Sequence, residues 1–263
     1  MMVKCKVCSS KSNYFGSALV LTKYKVKYYQ CSNCKFVQTE EPYWLDEAYN
    51  SAISAVDVGI VKRNRELAES THSLIVNFFK KTKSFLDYGA GYGLFVRLMR
   101  DKGFNFYWYD KYAENLFSRN FKGDKNKKYD LITAFEVFKH LPNPIEEVEA
   151  MLKHGKSIFF STYLLPKSNP KPNQWWYYVT IAGQHVSIYT RKSLEILAKK
   201  HKLNFITDGK NLHLITPLKI SEAKFRIIVN KKVSPILNIF RKRKSLINKD
   251  FERISGIIKE KLK

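Results

Sequence analysis

The chain has 263 residues, a formal net charge of +24, and 44% hydrophobic and 14% aromatic residues. This length accommodates one α/β domain with a small additional module, and the apolar content is sufficient for a hydrophobic core. No run of about 18 uncharged apolar residues is present, which argues against a transmembrane helix. The first ten residues contain two cysteines and lack the apolar segment of a signal peptide, so we expect a cytoplasmic protein.

Four cysteines form two Cys-x-x-Cys pairs, Cys5/Cys8 and Cys31/Cys34, and the chain has no other cysteine. In a reducing compartment such pairs favour a metal ion over disulfides. The two-residue gap lets both thiolates of a pair bind one tetrahedral ion, so the sequence predicts zinc. Four thiolates leave no open position for a substrate, and we therefore expect the zinc to be structural. An iron–sulfur site, two redox pairs and a vestigial site are the alternatives.

Residues 1–42 alternate polar with aromatic or β-branched residues between the cysteine pairs. This pattern predicts short strands of a small zinc-ribbon-like module that ends at Pro42. Residues 43–80 contain no proline and carry apolar residues at helical spacing, which predicts helical structure before the main domain.

From residue 83 onward, strand-like and helix-like segments alternate. The predicted strands are 83–87, 104–109, 129–135, 157–163, 203–207 and 212–216, and the predicted helices are 94–102, 144–152 and 191–201. This alternation predicts an α/β fold with a doubly wound, mostly parallel sheet in a domain spanning residues 43–218. Ligands of such sheets bind beyond the carboxyl ends of the strands, so Asp87, Asp110, Glu136 and Tyr163 become candidate site residues.

A glycine-rich turn, Asp87-Tyr88-Gly89-Ala90-Gly91-Tyr92-Gly93, lies between a predicted strand and a predicted helix. Glycine suits positions where the backbone turns tightly or approaches a ligand, and a helix N-terminus offers free N–H groups to an anionic group. Asp110 follows the next strand, where its carboxylate can accept hydrogen bonds from both hydroxyls of a ribose. The Gly-x-Gly-x-Gly spacing differs from the Gly-x-Gly-x-x-Gly pattern of dinucleotide-binding proteins.

The segment Phe85–Gly93 resembles the first motif of class I S-adenosylmethionine-dependent methyltransferases, and Tyr129–Leu141 resembles their fourth-strand motif. The resemblance covers roughly residues 43–216. It implies a Rossmann-like methyltransferase sheet with S-adenosylmethionine as the cofactor. The cofactor-binding residues it implies, together with those expected from position along the sheet, are Asp87, Gly89, Gly91, Gly93, Asp110, Phe121 and Glu136.

The complete arrangement, with the cysteine pairs first, resembles small methyltransferases of sugar and surface-polysaccharide pathways. Relatives often read Glu-Val-x-Glu-His after the fourth strand, and this chain has Lys139 in place of the second glutamate. A charged lysine cannot bind a metal ion, so we do not expect a metal in the active site.

Two histidines, His140 and His185, are candidates for a catalytic base. Methyl transfer to a hydroxyl is an in-line displacement that benefits from removal of the hydroxyl proton, and histidine titrates near neutral pH. In the resembling family, the region that contains His185 lies over the acceptor. The alternative for both is a structural or cofactor-contacting histidine. Residues 175–178, Trp-Trp-Tyr-Tyr, either stack on a sugar or base or form an unspecific hydrophobic lid.

Residues 219–263 carry 14 Lys/Arg against four Asp/Glu, a net charge of +10. Phe251, Ile254, Ile258 and Leu262 fall on one helical face, which predicts a basic amphipathic helical tail. Such a tail packs on the body of the protein, pairs with another subunit to form an oligomer, or contacts an anionic membrane surface.

The leading functional prediction is O-methylation of a sugar, a nucleotide-linked or a phosphorylated small molecule in capsule or surface-polysaccharide biosynthesis. An anionic acceptor suits the positive charge. The first alternative is an RNA methyltransferase whose zinc module and basic tail hold the RNA. The second is a non-catalytic zinc-ribbon adaptor on a methyltransferase fold, against which the intact Asp87, Gly89, Gly91 and Asp110 argue.

Overall fold

A computed structural model of the protein describes residues 2–49 and 57–262. Residues 50–56, which belong to the predicted helical segment 43–80, lie outside the described residues. The strands are β1 (Val3–Lys4), β2 (Lys11–Val20), β3 (Tyr24–Cys31), β4 (Val37–Thr39), β5 (Phe85–Tyr88), β6 (Phe106–Tyr109), β7 (Leu131–Ala134), β8 (Ile158–Ser161), β9 (Ser187–Ile188), β10 (Asn204–Thr207) and β11 (Leu212–Thr216).

The helices are α1 (Leu45–Ala48), α2 (Ile60–Phe78), α3 (Leu94–Asp101), α4 (Pro144–Leu152), α5 (Arg191–Lys200), α6 (Glu222–Ile228), α7 (Ser234–Ile239) and α8 (Ile247–Lys261). Three short 3-10 helices cover Arg119–Phe121, Phe138–His140 and Trp176–Tyr178. None of the helices within the described ranges has the length and apolarity needed to cross a membrane.

The larger sheet has six strands in the order β10-β11-β8-β7-β5-β6. Strands β6, β5, β7 and β8 run parallel. Strand β11 is antiparallel to both of its neighbours, β8 and β10, so β10 runs in the same direction as β8, and the predicted mostly parallel sheet is confirmed. The chain places β6 on one side of β5 and β7 on the other, so the direction in which strands are added to the sheet reverses at β5. In open α/β sheets, the carboxyl ends of the strands at such a reversal flank the ligand crevice.

The smaller sheet is antiparallel, with the order β1-β2-β3-β4-β9. Its last strand comes from a distant part of the chain, because Val37 pairs with Ile188 and Gln38 pairs with Ser187. The sheet therefore extends beyond the predicted module of residues 1–42. Main-chain hydrogen bonds join the cysteine-containing part of the chain to the larger domain.

The hydrophobic core covers both faces of the larger sheet. All four residues of β7 and all four of β8 are buried, as expected for central parallel strands covered on both sides. One cluster combines Phe138 and Phe160, whose rings stack 3.7 Å apart, with Cys5, Cys31 and Cys34 of the N-terminal region. The cysteines therefore belong to the same core as the larger sheet.

Helix α8 is attached to the body of the protein through an ion-pair network. The Asp250 carboxylate is buried and accepts hydrogen bonds from Arg100 at 2.5 and 2.8 Å and from Arg97 at 3.0 Å. Arg100 is itself buried, so each partner neutralises a charge that water does not reach.

Asp250→Ala is expected to lower the free energy of unfolding by about 3 kcal/mol, because it leaves the buried Arg100 charge unpaired. Urea denaturation measures this loss.

Burial raises the pKa of Asp250, but its arginine partners outweigh burial and hold the pKa below the usual value. The stabilisation is therefore present at neutral pH and is lost as pH falls through the lowered pKa. Glu252→Ala, at an exposed position of the same helix, is the control, and equal losses for both variants would contradict the network's role.

Candidate cofactor and acceptor cleft

A cleft of about 1790 Å³ lies at the carboxyl ends of β5, β6, β7 and β8. It is the position that the strand order predicts for a ligand. The structure brings eight of the predicted site residues to its walls: Asp87, Gly89, Gly91, Asp110, Glu136, His140, Tyr163 and His185.

The glycine turn forms one wall of the cleft. Gly89, Gly91 and Gly93 all have positive φ angles, at 73°, 53° and 82°. A Cβ at Gly91 would project into open space, whereas at Gly89 it would lie 2.6 Å from Val137, and at Gly93 it would collide with Asn115. The backbone at Gly91 is therefore open to a ligand. Gly93 does not line the cleft, and its lack of a side chain makes room for Asn115 instead.

Asp110 is fixed to the glycine turn by its carboxylate. One oxygen accepts a hydrogen bond from the Gly91 N–H, and the other accepts from the N–H groups of Tyr112 and Ala113, each at 2.8 Å. A carboxylate offers about four lone-pair sites and these N–H groups use three of them, so one remains for a ligand hydroxyl group. The role of Asp110 in holding a ribose stays a prediction.

Asp87 lies at the floor of the cleft and is buried. Its Oδ1 accepts a hydrogen bond of 2.6 Å from the Thr133 hydroxyl. Burial raises the pKa of Asp87 to about 7. A cationic ligand group nearby would favour its ionised form.

Glu136 is held by three side chains at the end of β7. Its carboxylate pairs with Lys139 at 2.5 Å, accepts a hydrogen bond of 2.7 Å from Ser161, and lies 3.8 Å from Arg63. Burial raises the pKa of Glu136, but Lys139 and Arg63 outweigh it and lower the pKa to about 2. Its φ angle of 61° is rare for a non-glycine residue and is typical of functional sites. Lys139, which replaces the expected glutamate, neutralises Glu136.

His140 and His185 meet across the cleft wall, with ring centroids 5.0 Å apart and planes nearly perpendicular. Nδ1 of His140 lies 3.0 Å from the Gln184 carbonyl oxygen, and Nδ1 of His185 lies 2.6 Å from that of Tyr177. A carbonyl oxygen only accepts hydrogen bonds, so each Nδ1 carries the hydrogen and Nε2 of each neutral ring has the free lone pair.

Both rings remain neutral over a wide pH range. Burial, reinforced by the nearby Lys139 charge, lowers the pKa of His140 to about 3. The same two causes lower the pKa of His185 well below its usual value. Each histidine therefore presents a neutral acceptor nitrogen in the same cleft as Asp110.

The aromatic segment at 175–178 divides into buried and exposed rings. Tyr177 and Tyr178 are buried, and the Tyr177 hydroxyl interacts with the main-chain N–H of Tyr163 at 3.1 Å. Trp176 lines the cleft with 65% of its surface exposed and packs edge-on against Tyr163. The tyrosines therefore build the wall, and Trp176 is the ring available for stacking.

Phe121 does not fit its predicted role beside the adenine. It is buried in the core, outside the described residues that line the cleft, and the Arg100 guanidinium stacks 3.7 Å from its ring. The short 3-10 helix at Arg119–Phe121 turns the ring toward α3 and α8 rather than toward the cofactor turn.

A set of basic residues at the rim of the cleft was not predicted from the sequence. Lys210 lies in the turn between β10 and β11, Arg226 lies in α6, and Lys231 follows α6. Ser161, which donates a hydrogen bond to Glu136, was missed as well. Its position as the last residue of a buried strand was the available signal.

The four cysteine sulfurs converge, all within 4.8 Å of one another. Sγ of Cys8 lies 3.4 Å from that of Cys31 and 3.6 Å from that of Cys34, and Cys5 lies 3.6 Å from Cys34. Tetrahedral zinc with bonds of 2.3 Å would separate its sulfurs by about 3.8 Å, so the set fits one zinc ion. Within residues 2–49 and 57–262, this is the one group of three or more potential ligands that lie this close together.

Short contacts connect the cysteine site to the segment that carries His185. The Thr190 hydroxyl donates a hydrogen bond of 2.6 Å to the Cys34 carbonyl oxygen, and Tyr189 packs against Phe36. The Val186 N–H donates to the Lys139 carbonyl at 3.0 Å. The position of both histidines therefore depends on the sheet that the cysteines hold.

Comparison with known proteins identifies the family. Residues 61–207, more than half of the chain, match a family described as a methyltransferase domain. No curated protein matches the chain. The solved structures similar to it include the plantazolicin methyltransferase BpumL in complex with SAH, at 18% identity and a TM-score of 0.47, covering 65% of this chain and 94% of that chain.

An O-methyltransferase family protein from Burkholderia thailandensis is similar at 10% identity and a TM-score of 0.44, covering 68% of each chain. Likenesses at this level indicate no substrate. The family match agrees with the glycine turn, Asp110 and the parallel sheet described above. The chain belongs to the methyltransferase domain family and is an S-adenosylmethionine-dependent methyltransferase.

Proposed function

We propose that the protein methylates a hydroxyl group of an anionic small molecule, such as a phosphorylated or nucleotide-linked sugar. The observation that carries this proposal is the pair of neutral histidines, each with a free Nε2, in the cleft that also contains Asp110 and the glycine turn. The link to capsule or surface-polysaccharide biosynthesis rests on the sequence resemblance alone.

The residues at the glycine turn suit the cofactor. S-adenosylmethionine, when bound, supplies a methyl group on a positively charged sulfur. Asp110 would accept a hydrogen bond from a ribose hydroxyl, and the open backbone at Gly91 would contact the cofactor directly. Asp87 would face its cationic part, which favours the ionised form of this buried carboxyl.

The histidines suit the acceptor. A hydroxyl oxygen becomes strongly acidic only as the new bond to carbon forms, so a weak base is sufficient if it is correctly placed. Nε2 of His185 or His140 would accept the hydrogen bond of the hydroxyl and take its proton late in the reaction. Because the pKa of each ring is lowered, both would stay neutral in mildly acidic solution, and the rate should not fall there through protonation of either ring.

The basic rim supports an anionic acceptor. Lys210, Arg226 and Lys231 line one edge of the cleft, and Trp176 offers an exposed ring for stacking on a sugar or base. We also propose that the four cysteines hold one structural zinc ion, because their sulfur spacing fits it.

The test is a screen for release of S-adenosylhomocysteine with neutral sugars, sugar phosphates and nucleotide sugars as acceptors. We expect turnover with phosphorylated or nucleotide-linked sugars and little with the neutral ones. The charge of +24 also favours RNA as an acceptor. Methyl transfer to RNA, with an affinity that falls steeply with salt, would replace our proposal with that alternative.

His185→Asn is expected to lower kcat by about 10²- to 10⁴-fold, because it removes the base. The asparagine amide can still donate to the Tyr177 carbonyl, so the wall should stay in place. Single-turnover kinetics with the acceptor found in the screen measures the effect, and calorimetry with S-adenosylhomocysteine should show unchanged cofactor affinity.

His140→Asn tests the second candidate base, and His201→Asn, outside the cleft, is the control. Unchanged kcat in both cleft variants would contradict the proposed base.

A further inference from the structure

Helix α7 is attached to the protein by its polar side chains and exposes its apolar ones. Ser234 and Asn238 are buried against α2, where Asn238 accepts a hydrogen bond of 2.7 Å from Ser73 and donates one of 2.7 Å to Glu69. The exposed fractions of its apolar side chains are 60% for Ile236 and 57% for Ile239, and Phe240, directly after the helix, is 87% exposed. This is the reverse of a helix that covers a core.

Helix α8 repeats this arrangement. Its buried anchor is Asp250, which is paired with Arg100 and Arg97. The exposed fractions of its apolar side chains are 71% for Phe251 and 52% for Ile258, and Leu262, directly after the helix, is 82% exposed. These three positions lie on one side of the helix, next to Ile254, the residue of this stripe that packs partly against the core. Exposed apolar side chains grouped on one side of a helix indicate an interaction site.

A basic run connects the two helices. Arg241, Lys242, Arg243 and Lys244 are all exposed, and residues 219–263 carry a net charge of +10. The two apolar faces are therefore joined by positive charge, the combination that binds a helix to the interface of an anionic bilayer.

We propose that α7, α8 and the basic run between them form a docking surface for an anionic phospholipid membrane. The Phe240, Phe251 and Leu262 side chains enter the boundary between headgroups and acyl chains. The basic run contacts the anionic headgroups. Asp250 keeps α8 on the body of the protein, so the methyltransferase domain is held at the membrane together with the helix.

Charge and side-chain chemistry favour this partner over two others. A second copy of the chain would bring a second +10 segment to the same face, and like charges repel. RNA would satisfy the charges, but its phosphates and sugars offer no apolar environment for aliphatic side chains such as Leu262 and Ile258. A bilayer of anionic lipid satisfies both the charges and the apolar faces.

The test is flotation of the full-length protein with vesicles of phosphatidylcholine, with or without phosphatidylglycerol. We expect binding to the vesicles that contain phosphatidylglycerol, weakened by salt, and little binding to phosphatidylcholine alone. The double variant Phe240→Ser/Phe251→Ser and the charge variant Lys242→Glu/Lys244→Glu should each bind at least about tenfold more weakly.

Leu19→Ser is the matched control, because Leu19 is a 54% exposed apolar residue on β2, far along the chain from this surface. Thermal unfolding should be unchanged in all variants, because the substituted side chains are exposed. Binding of S-adenosylhomocysteine should also be unchanged, because none of these residues lines the cleft. The proposal is overturned if the wild-type protein does not bind vesicles that contain phosphatidylglycerol, or if the variants bind them as strongly as the wild type does. A wild-type protein that is a dimer, and that becomes a monomer in the apolar double variant, also overturns the proposal. So does a wild-type protein that binds RNA but not vesicles, if the apolar double variant loses the RNA binding.

Discussion

Asp110→Ala is expected to lower the affinity for S-adenosylhomocysteine by about 100- to 1000-fold. A hydrogen bond from a ligand hydroxyl to a charged carboxylate contributes about 1.5–3 kcal/mol, and the substitution removes its acceptor. It also frees the N–H groups of Gly91, Tyr112 and Ala113, which Asp110 holds in place. Calorimetry with S-adenosylhomocysteine measures the loss without requiring knowledge of the acceptor.

The control for this experiment is Asp124→Ala. Asp124 is an exposed carboxylate in the loop that follows Phe121, and it does not line the cleft. The same removal of one negative charge should leave the affinity unchanged there. A wild-type affinity in Asp110→Ala would show that the cofactor binds elsewhere.

Cys31→Ser is expected to abolish zinc binding and to destabilise the fold by several kcal/mol, because metal binding at a four-cysteine site is coupled to folding. Cys31 is fully buried, and its loss leaves three thiolates in a packed core. Metal analysis by mass spectrometry should find one zinc ion per wild-type chain and almost none in the variant. Thermal unfolding gives the stability change.

The neighbouring exposed residue provides a control, Ser32→Ala, which should keep both the zinc and the unfolding temperature. A chelator should lower the unfolding temperature of the wild type and of this control, and leave Cys31→Ser unaffected. Bound iron with visible absorption, or a wild-type protein that binds no metal when purified under reducing conditions, would contradict a zinc site.

The features that the sequence predicts well are those encoded by neighbouring residues. The glycine turn, Asp110 at the end of the next strand, and the alternation of strands and helices are local patterns, and the sheet and cleft appear where these patterns place them. The two cysteine pairs are equally local, and their sulfurs converge in the structure.

The features that the sequence did not predict depend on contacts between distant residues. Periodicity places Phe251 and Ile258 on one face of a helix, but the buried side of that helix is set by Asp250 and Arg100, which are 150 residues apart. Phe121 was placed near the cofactor by its position after Asp110, and the same Arg100 holds it in the core. The basic rim combines residues from a turn and a helix, which no spacing rule connects.

The pairing of β4 with β9 determines how this protein can be divided. A fragment that starts at residue 43 would retain every residue expected to bind the cofactor, yet it would leave the main chain of Ser187 and Ile188 without its neighbouring strand. It would also expose Tyr189, which Phe36 covers. To graft the N-terminal part onto another methyltransferase, residues 184–190 would have to be transferred as well. The N-terminal part and residues 184–190 therefore have to be kept together when the protein is divided, recombined or compared with relatives.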